Sequence, residues 1–160
     1  MRTSEIALAG IAGTTAFTLF SYIVSQTKKK NFKEPELLGD LFVPSEKTDK
    51  NLSKLSGWGI HYLAGLGFAA AYSMLINNKV KPTLINGTIT GAVSGLAAIG
   101  IWHAMLTLHP DPPKKPNKQY YGHLFLGHVI FGAFSFLTFG SFNKKTGKKR
   151  KALNSDAITD

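Results

Sequence analysis

Long stretches without any charged residue alternate along the chain with short stretches that are rich in charge. Four stretches lack Asp, Glu, Lys and Arg altogether, and they hold 22, 24, 29 and 25 residues. A bilayer core is crossed by about 20 apolar residues in a helix, and runs this long exceed the strands of a membrane barrel. Since lipid admits only helices or closed barrels, the pattern predicts an all-α, four-helix transmembrane bundle. The uncharged runs are 6–27, 55–78, 82–110 and 119–143.

The first polar connection, about 27–56, predicts a further short helix. Leu and Phe residues recur around Pro35, a residue that suits the first turn of a helix. We expect an amphipathic helix on the membrane surface at about 34–43, with a plain solvated linker as the alternative, because one or two helical turns are marginal alone. The transmembrane helices are predicted at about 5–26, 55–76, 82–108 and 120–142, in an integral membrane domain, 1–143, that precedes a basic, disordered tail, 144–160.

Charge and composition exclude several classes of protein. The chain has 19 basic and 9 acidic residues, a net charge of +10, yet all of these lie outside the four uncharged runs. A soluble domain scatters charge over its surface, so a soluble enzyme is not favoured. The basic runs carry no interleaved aromatic residues of the kind that bind nucleic acid, and no nucleic-acid partner is expected. The absence of cysteine removes disulfides and thiolate metal sites, and no predicted transmembrane helix carries a pair of acids, so we expect no enzymatic activity.

Small residues are placed at helical spacing in two of the predicted helices. In the first helix they form one stripe, and in the third helix Gly87, Gly91 and Gly95 repeat every four residues. Such stripes let neighbouring backbones approach closely in lipid. The glycine repeat predicts that the third helix is central, or that a second copy or another membrane partner packs on this face. The stripe of the first helix consists of Gly10, Thr14, Thr18, Ser21 and Ser25.

All five histidines are predicted to lie toward the same side of the membrane. His61, His103 and His128 lie well inside their uncharged runs, roughly 10 Å from the boundary at ~1.5 Å per residue. His109 and His123 lie closer to water, and His123 is ~140° around the helix from His128, so these two cannot point at one place. Small residues share the faces of the three deeper histidines, which are therefore predicted to form a histidine layer inside the bundle.

Three interpretations of this layer stay open. The imidazoles can simply bond neighbouring helices. They can respond to protons, since an imidazole titrates near physiological pH and three close together repel when charged. They can also hold a divalent metal or haem b, although no HxxxH spacing is present and the absence of a cofactor is favoured. Glu34, Glu36 and Asp111 flank this side as possible proton acceptors or supporting carboxylates, or as ordinary solvated charges.

A recognisable order of residue types runs over about 57–142. It begins with a histidine after a Gly-Trp-Gly sequence and ends with a Gly-His pair after two tyrosines. In chain order the elements are Gly57, Trp58, Gly59, Ile60, His61, Tyr72, Gly87, Gly91, Gly95, His103, the proline-rich break at 110–113, Tyr120, Tyr121, Gly127 and His128.

This order resembles the YagU-like family of bacterial inner-membrane proteins. The resemblance implies a multi-pass protein of the bacterial cytoplasmic membrane, with His61, His103 and His128 as its characteristic positions. The best-known association of that family is acid resistance, which implies the proton-responsive interpretation. A metal- or haem-binding subunit is the first alternative. A structural partner or small transporter subunit is the second.

The orientation in the membrane follows from basic residues only weakly, because the two sides carry nine and ten of them. We expect both termini in the cytoplasm, since the dense basic cluster at 144–151 is hard to translocate.

A reporter that is active only in the cytoplasm, fused after Asp160, should therefore be active. The same reporter in the loop after the first helix serves as control, and activity there alone would reverse the orientation.

Overall fold

The computed structural model describes residues 1–43, 49–110, 112 and 117–156, with the side chains of 118–143 in the last stretch. Its backbone forms five helices, and no strand occurs among the residues described. The helices are α1 (Thr3–Lys28), α2 (Glu34–Phe42), α3 (Lys50–Asn77), α4 (Leu84–Leu108) and α5 (Asn117–Asp156).

Four of these helices are long and apolar enough to cross a membrane: α1, α3, α4 and the Lys118–Asn143 part of α5. The predicted all-α four-helix transmembrane bundle is therefore confirmed, and the chain is a small multi-pass membrane protein. The predicted short helix is also present, with Pro35 in its first turn. The helix bounds differ mainly at polar ends, where α3 begins earlier than predicted because the Asp49 carboxylate accepts from the N–H of Asn51 and Leu52.

The last helix continues beyond its predicted end at residue 142. Its backbone is helical as far as Asp156, because residues 143–156 contain no proline and are rich in Lys, which favours helix. No break in the helix marks the predicted domain boundary at 143. The separate disordered tail, 144–160, stays a prediction, and residues 157–160 lie outside those described.

The centre of the bundle is formed by α1 and α5. α5 packs on α4 and on α1, α1 packs also on α3, and α2 packs on α3. α3 and α4 make no extended contact in the described part of the chain, although the buried hydroxyls of Tyr72 on α3 and Ser94 on α4 are 2.6 Å apart. The prediction that the glycine-bearing helix, α4, is central is therefore wrong. Gly87, Gly91 and Gly95 of this helix all lie against one other helix.

That neighbour is α5, which lies against the predicted glycine face of α4. A Cβ at Gly91 would collide with the backbone oxygen of His128, and a Cβ at Gly87 would lie 2.6 Å from the oxygen of Gly132. At Gly95 it would lie 3.1 Å from the oxygen of Phe125. The close approach therefore occurs within one chain. Association of a second chain through this face stays a prediction, but α5 already occupies the face.

The short helix α2 packs into the bundle, and only part of it faces outward. A Cβ at Gly57 of α3 would collide with the backbone oxygen of Pro35, and a Cβ at Gly39 would collide with that of Ser53. Glycine at these two positions lets the helices touch backbone to backbone. The buried residues of α2 are Glu34, Pro35, Leu37, Leu38, Gly39 and Leu41. The position of this helix at the membrane surface stays a prediction.

A glycine substitution tests the α4–α5 contact. Gly91→Ala should lower the free energy of unfolding by about 1–3 kcal/mol, because the added methyl overlaps the α5 backbone. Gly100→Ala is the matched control on the same helix, since nothing lies within 4 Å of its added Cβ. It should be neutral or stabilising by up to about 1 kcal/mol. Unfolding in mixed detergent with SDS measures both, and equal losses would contradict the packing described.

Candidate functional site

Three of the five imidazoles lie around the ring of Phe17 on α1. The ring centroid of Phe17 lies 5.9 Å from that of His61, 6.1 Å from that of His123 and 5.2 Å from that of His128. All three imidazoles are buried. His61 comes from α3 and the other two from α5, so this group, called the imidazole cluster below, joins three spanning helices.

The cluster contains a buried acid–base pair that links three helices. Nε2 of His123 lies 3.1 Å from Oε1 of Glu34, and the two side chains are 3% and 2% exposed. The hydroxyl of Ser21 lies 2.5 Å from Oε2 of Glu34 and 2.9 Å from Nε2 of His123. The Glu34 carboxylate therefore bonds α2 to α1 through Ser21, and the same hydroxyl connects this group to His123 of α5.

The distances indicate where the protons of this group lie. The Ser21 hydroxyl has two acceptors within reach, the backbone oxygen of Phe17 at 3.0 Å and Oε2 of Glu34 at 2.5 Å, and the shorter contact has the length of a hydroxyl donating to a carboxylate. The Ser21 oxygen must then accept from Nε2–H of His123. Nδ1 of His123 is buried and has no hydrogen-bond partner among the described residues. Because a buried N–H without an acceptor is costly, this arrangement favours the neutral imidazole.

The other two imidazoles also have one nitrogen committed to the protein. The Thr18 hydroxyl donates to the backbone oxygen of Thr14 at 2.8 Å, so it accepts from Nε2–H of His61 at 3.0 Å. Nδ1 of His128 donates to the backbone oxygen of Leu124 at 2.9 Å. In the neutral rings, Nδ1 of His61 and Nε2 of His128 are therefore left as acceptors.

His103 does not belong to the cluster. Its side chain is exposed on α4, and Nδ1 lies 3.4 Å from the Tyr121 hydroxyl. The prediction that His103 points into the bundle is therefore wrong, because its neighbour Trp102 occupies the buried face of the helix. His109 follows the end of α4 and is half-buried. His123, predicted to lie nearer water, is the histidine that completes the cluster.

The flanking carboxylates differ sharply from one another. Glu36 bonds Lys33 and Asn31 at 2.9 Å near the surface, as a solvated charge does. Glu34 is buried, so interpretation of this residue as a solvated charge is wrong, and a role as proton acceptor fits its place beside His123. Asp111 lies outside the described residues.

Sequence reasoning overlooked the pairing of Glu34 with Ser21, although both residues lie on recognisable stripes. Glu34 shares a helical face with Leu37, Leu38 and Leu41, a spacing that places its carboxylate on the apolar side of α2. Ser21 belongs to the small-residue stripe of α1, all of which is buried as predicted. A charged residue on an apolar stripe is the signal that could have indicated a buried acid.

The described residues contain no group of side chains arranged to bind a metal ion. In 1–43, 49–110 and the other described residues, no three His, Asp or Glu side chains are grouped to hold an ion. A divalent metal or haem b bound by His61, His103 and His128 stays a prediction. The separation of His103 from the other two removes the geometry on which the three-histidine version rests.

Comparison with family models, curated proteins and solved structures gives no match to this chain. The resemblance to the YagU-like family stays a prediction, and the site is interpreted from its own geometry.

Removal of the Ser21 hydroxyl tests the buried hydrogen bonds. Ser21→Ala should lower the free energy of unfolding by about 1–3 kcal/mol, because Glu34 loses a donor while it stays buried. Ser141→Ala is the control, since that exposed hydroxyl bonds only its own helix, and it should change stability by less than about 0.5 kcal/mol. The same SDS titration measures both variants. A Ser21→Ala variant as stable as wild type would show that the hydroxyl does not support the carboxylate.

Proposed function

We propose that the chain is a non-enzymatic membrane protein that responds to protons through the imidazole cluster and Glu34. The observation that carries this proposal is the buried group of Glu34, Ser21 and His123, in which the Glu34 carboxylate lies 2.5 Å from the Ser21 hydroxyl and 3.1 Å from Nε2 of His123. Ionisable groups inside a membrane protein are costly and commonly mark proton-linked or ligand sites. His61 and His128 add two further bases within reach of the same phenylalanine.

Protonation would weaken the attachment of α2 in a definite direction. While Glu34 is ionised, its carboxylate accepts from Ser21, and this contribution to packing is lost as falling pH protonates it. If His61 and His128 were both protonated, their two positive charges would lie close together and would repel. The titratable groups that surround Glu34 are Tyr120, His123 and His128 of α5 and His61 of α3.

The proposal includes the location of the protein in the cell and its physiological role. We infer a bacterial cytoplasmic membrane and a part in withstanding acid, because the resemblance to the YagU-like family implies both. Both termini lie inside under this proposal, because the basic cluster at 144–151 is hard to translocate. Under this proposal the readout of proton binding is movement of α2 relative to α3. Backbone contact at Gly39 and Gly57 makes that interface sensitive to small displacements.

Tryptophan fluorescence tests the proton response. Trp102 lies edge-on to Tyr120, with ring centroids 5.4 Å apart, and Trp58→Phe leaves it as the one tryptophan. In nanodiscs, its emission should change reversibly between about pH 8 and about pH 4, a range that spans ordinary imidazole and carboxyl titration. Glu34→Gln should abolish at least half of that change, because the carboxyl can no longer take a proton.

Matched controls make this test specific. Glu36→Gln lies two residues along the same helix, and His103→Gln removes an exposed imidazole; both should titrate as wild type does. His123→Gln should resemble Glu34→Gln and serves if that variant fails to fold. Survival of acid-challenged bacteria that express each variant should follow the same order. An emission independent of pH, or equal curves for the two glutamate variants, would exclude the proposal.

A further inference from the structure

A groove of about 400 Å³ lies on the outside of the bundle, between the end of α1 and the start of α5. Four of its lining residues are exposed, so the groove opens to the surroundings of the protein. They are Lys28, Gln119, Gly122 and Leu126. Lys30 follows α1, and its Nζ donates to Oε1 of Gln119 at 2.9 Å. This contact places the end of α1 and the start of α5 side by side at one face of the membrane.

The inner part of the groove is apolar and lies at the depth of the lipid chains. The ring of His123 stacks on that of Phe20, with centroids 4.8 Å apart, and the Phe32 ring lies 5.0 Å from the same imidazole. Val24 and Leu126 complete the apolar wall. Leu126 lies about 10 Å deeper along α5 than Gln119, at ~1.5 Å per residue, and the chain is uncharged between them. An acyl chain is therefore the molecule that meets this part of the groove in a bilayer.

The outer end of the groove carries positive charge that no carboxylate compensates. Lys28 lines the groove, and Lys29 and Lys30 follow it; in the described parts of the chain none of the three forms an ion pair. By contrast, Lys33 lies 2.9 Å from the Glu36 carboxylate. Basic clusters beside a spanning helix attract anionic lipids by about 1 kcal/mol per lysine. The charge therefore favours an anionic headgroup over one that carries its own ammonium group.

We propose that this groove binds an anionic phospholipid. The phosphate lies at Lys28 and Lys30, and one acyl chain packs against the ring of Phe20 and the side chain of Leu126. A zwitterionic phospholipid offers the same chains, but the lysines repel its ammonium group. A small phosphate ester offers the charge but leaves the apolar part of the groove unfilled. The site does not use the Glu34 carboxylate, so it is independent of the proposed proton response.

Two phospholipids with identical chains test the assignment. Native mass spectrometry of the full chain in detergent micelles measures the binding of dioleoyl phosphatidylglycerol and of dioleoyl phosphatidylcholine. Phosphatidylglycerol should bind saturably, with an affinity at least about tenfold higher than that of phosphatidylcholine, which corresponds to 1.4 kcal/mol. Glycerol phosphate, which has the charge without the chains, should not displace the bound lipid.

Removal of one lysine charge locates the headgroup. Lys28→Gln should weaken the binding of phosphatidylglycerol by about fivefold, which corresponds to 1 kcal/mol, and should change that of phosphatidylcholine less. Lys54→Gln is the matched control, because it removes the same charge from an exposed position near the start of α3, outside the groove. That variant should bind phosphatidylglycerol as wild type does.

A larger side chain inside the groove locates the acyl chain. Gly122 lines the groove, and nothing lies within 4 Å of a Cβ added there, so Gly122→Leu fills the groove without disturbing the helix packing. It should weaken the binding of phosphatidylglycerol by at least about tenfold, or 1.4 kcal/mol. Gly59→Leu is the matched control on α3, since Gly59 is equally exposed and open but lies outside the groove.

Several results would overturn this proposal: equal affinity for the two phospholipids, displacement of the lipid by glycerol phosphate, equal binding by the two lysine variants, or equal binding by the two glycine variants. All of these measurements are made at one pH. A protein that binds phosphatidylglycerol in the groove but does not respond to pH would keep this proposal and lose the proposed function.

Discussion

Backbone contact between helices is the constraint on which the rest of the structure depends. In lipid, apolar side chains gain little by leaving the solvent, so association rests on close packing and interhelical hydrogen bonds. Gly91 brings α4 onto the backbone of His128, and Gly57 brings α3 onto the backbone of Pro35. The first contact fixes the register of the helix that bears two clustered imidazoles. The second holds α2, and with it Glu34, against the bundle.

The buried Glu34 carboxylate places an ionisable group inside the packed helices. It is accommodated because Ser21 donates to it and His123 lies beside it, and these partners come from two other helices. Removal of one partner from such a group costs more free energy than the intact interaction contributes, because the remaining polar groups stay buried without a partner. The position of α2 and the protonation of Glu34 are therefore linked. That link is the physical basis of the proposed proton response.

α3 and α4 make no extended contact in the described part of the chain, although the hydroxyls of Tyr72 and Ser94 join them at 2.6 Å. Here α5 and α1 form the centre, α3 and α4 lie to either side, and a cavity remains between them.

The sequence alone determined the number, type and approximate bounds of the spanning helices, because lipid thickness and backbone satisfaction leave little choice for uncharged runs of 22 to 29 residues. It also identified the buried stripe of α1 and two of the three clustered histidines, since helical spacing fixes which residues share a face. Only the tertiary structure decided that His103 faces outward, that His123 replaces it and that Glu34 enters the bundle. Those outcomes depend on which helices are neighbours, and small-residue stripes show that a helix has a neighbour without showing which helix it is.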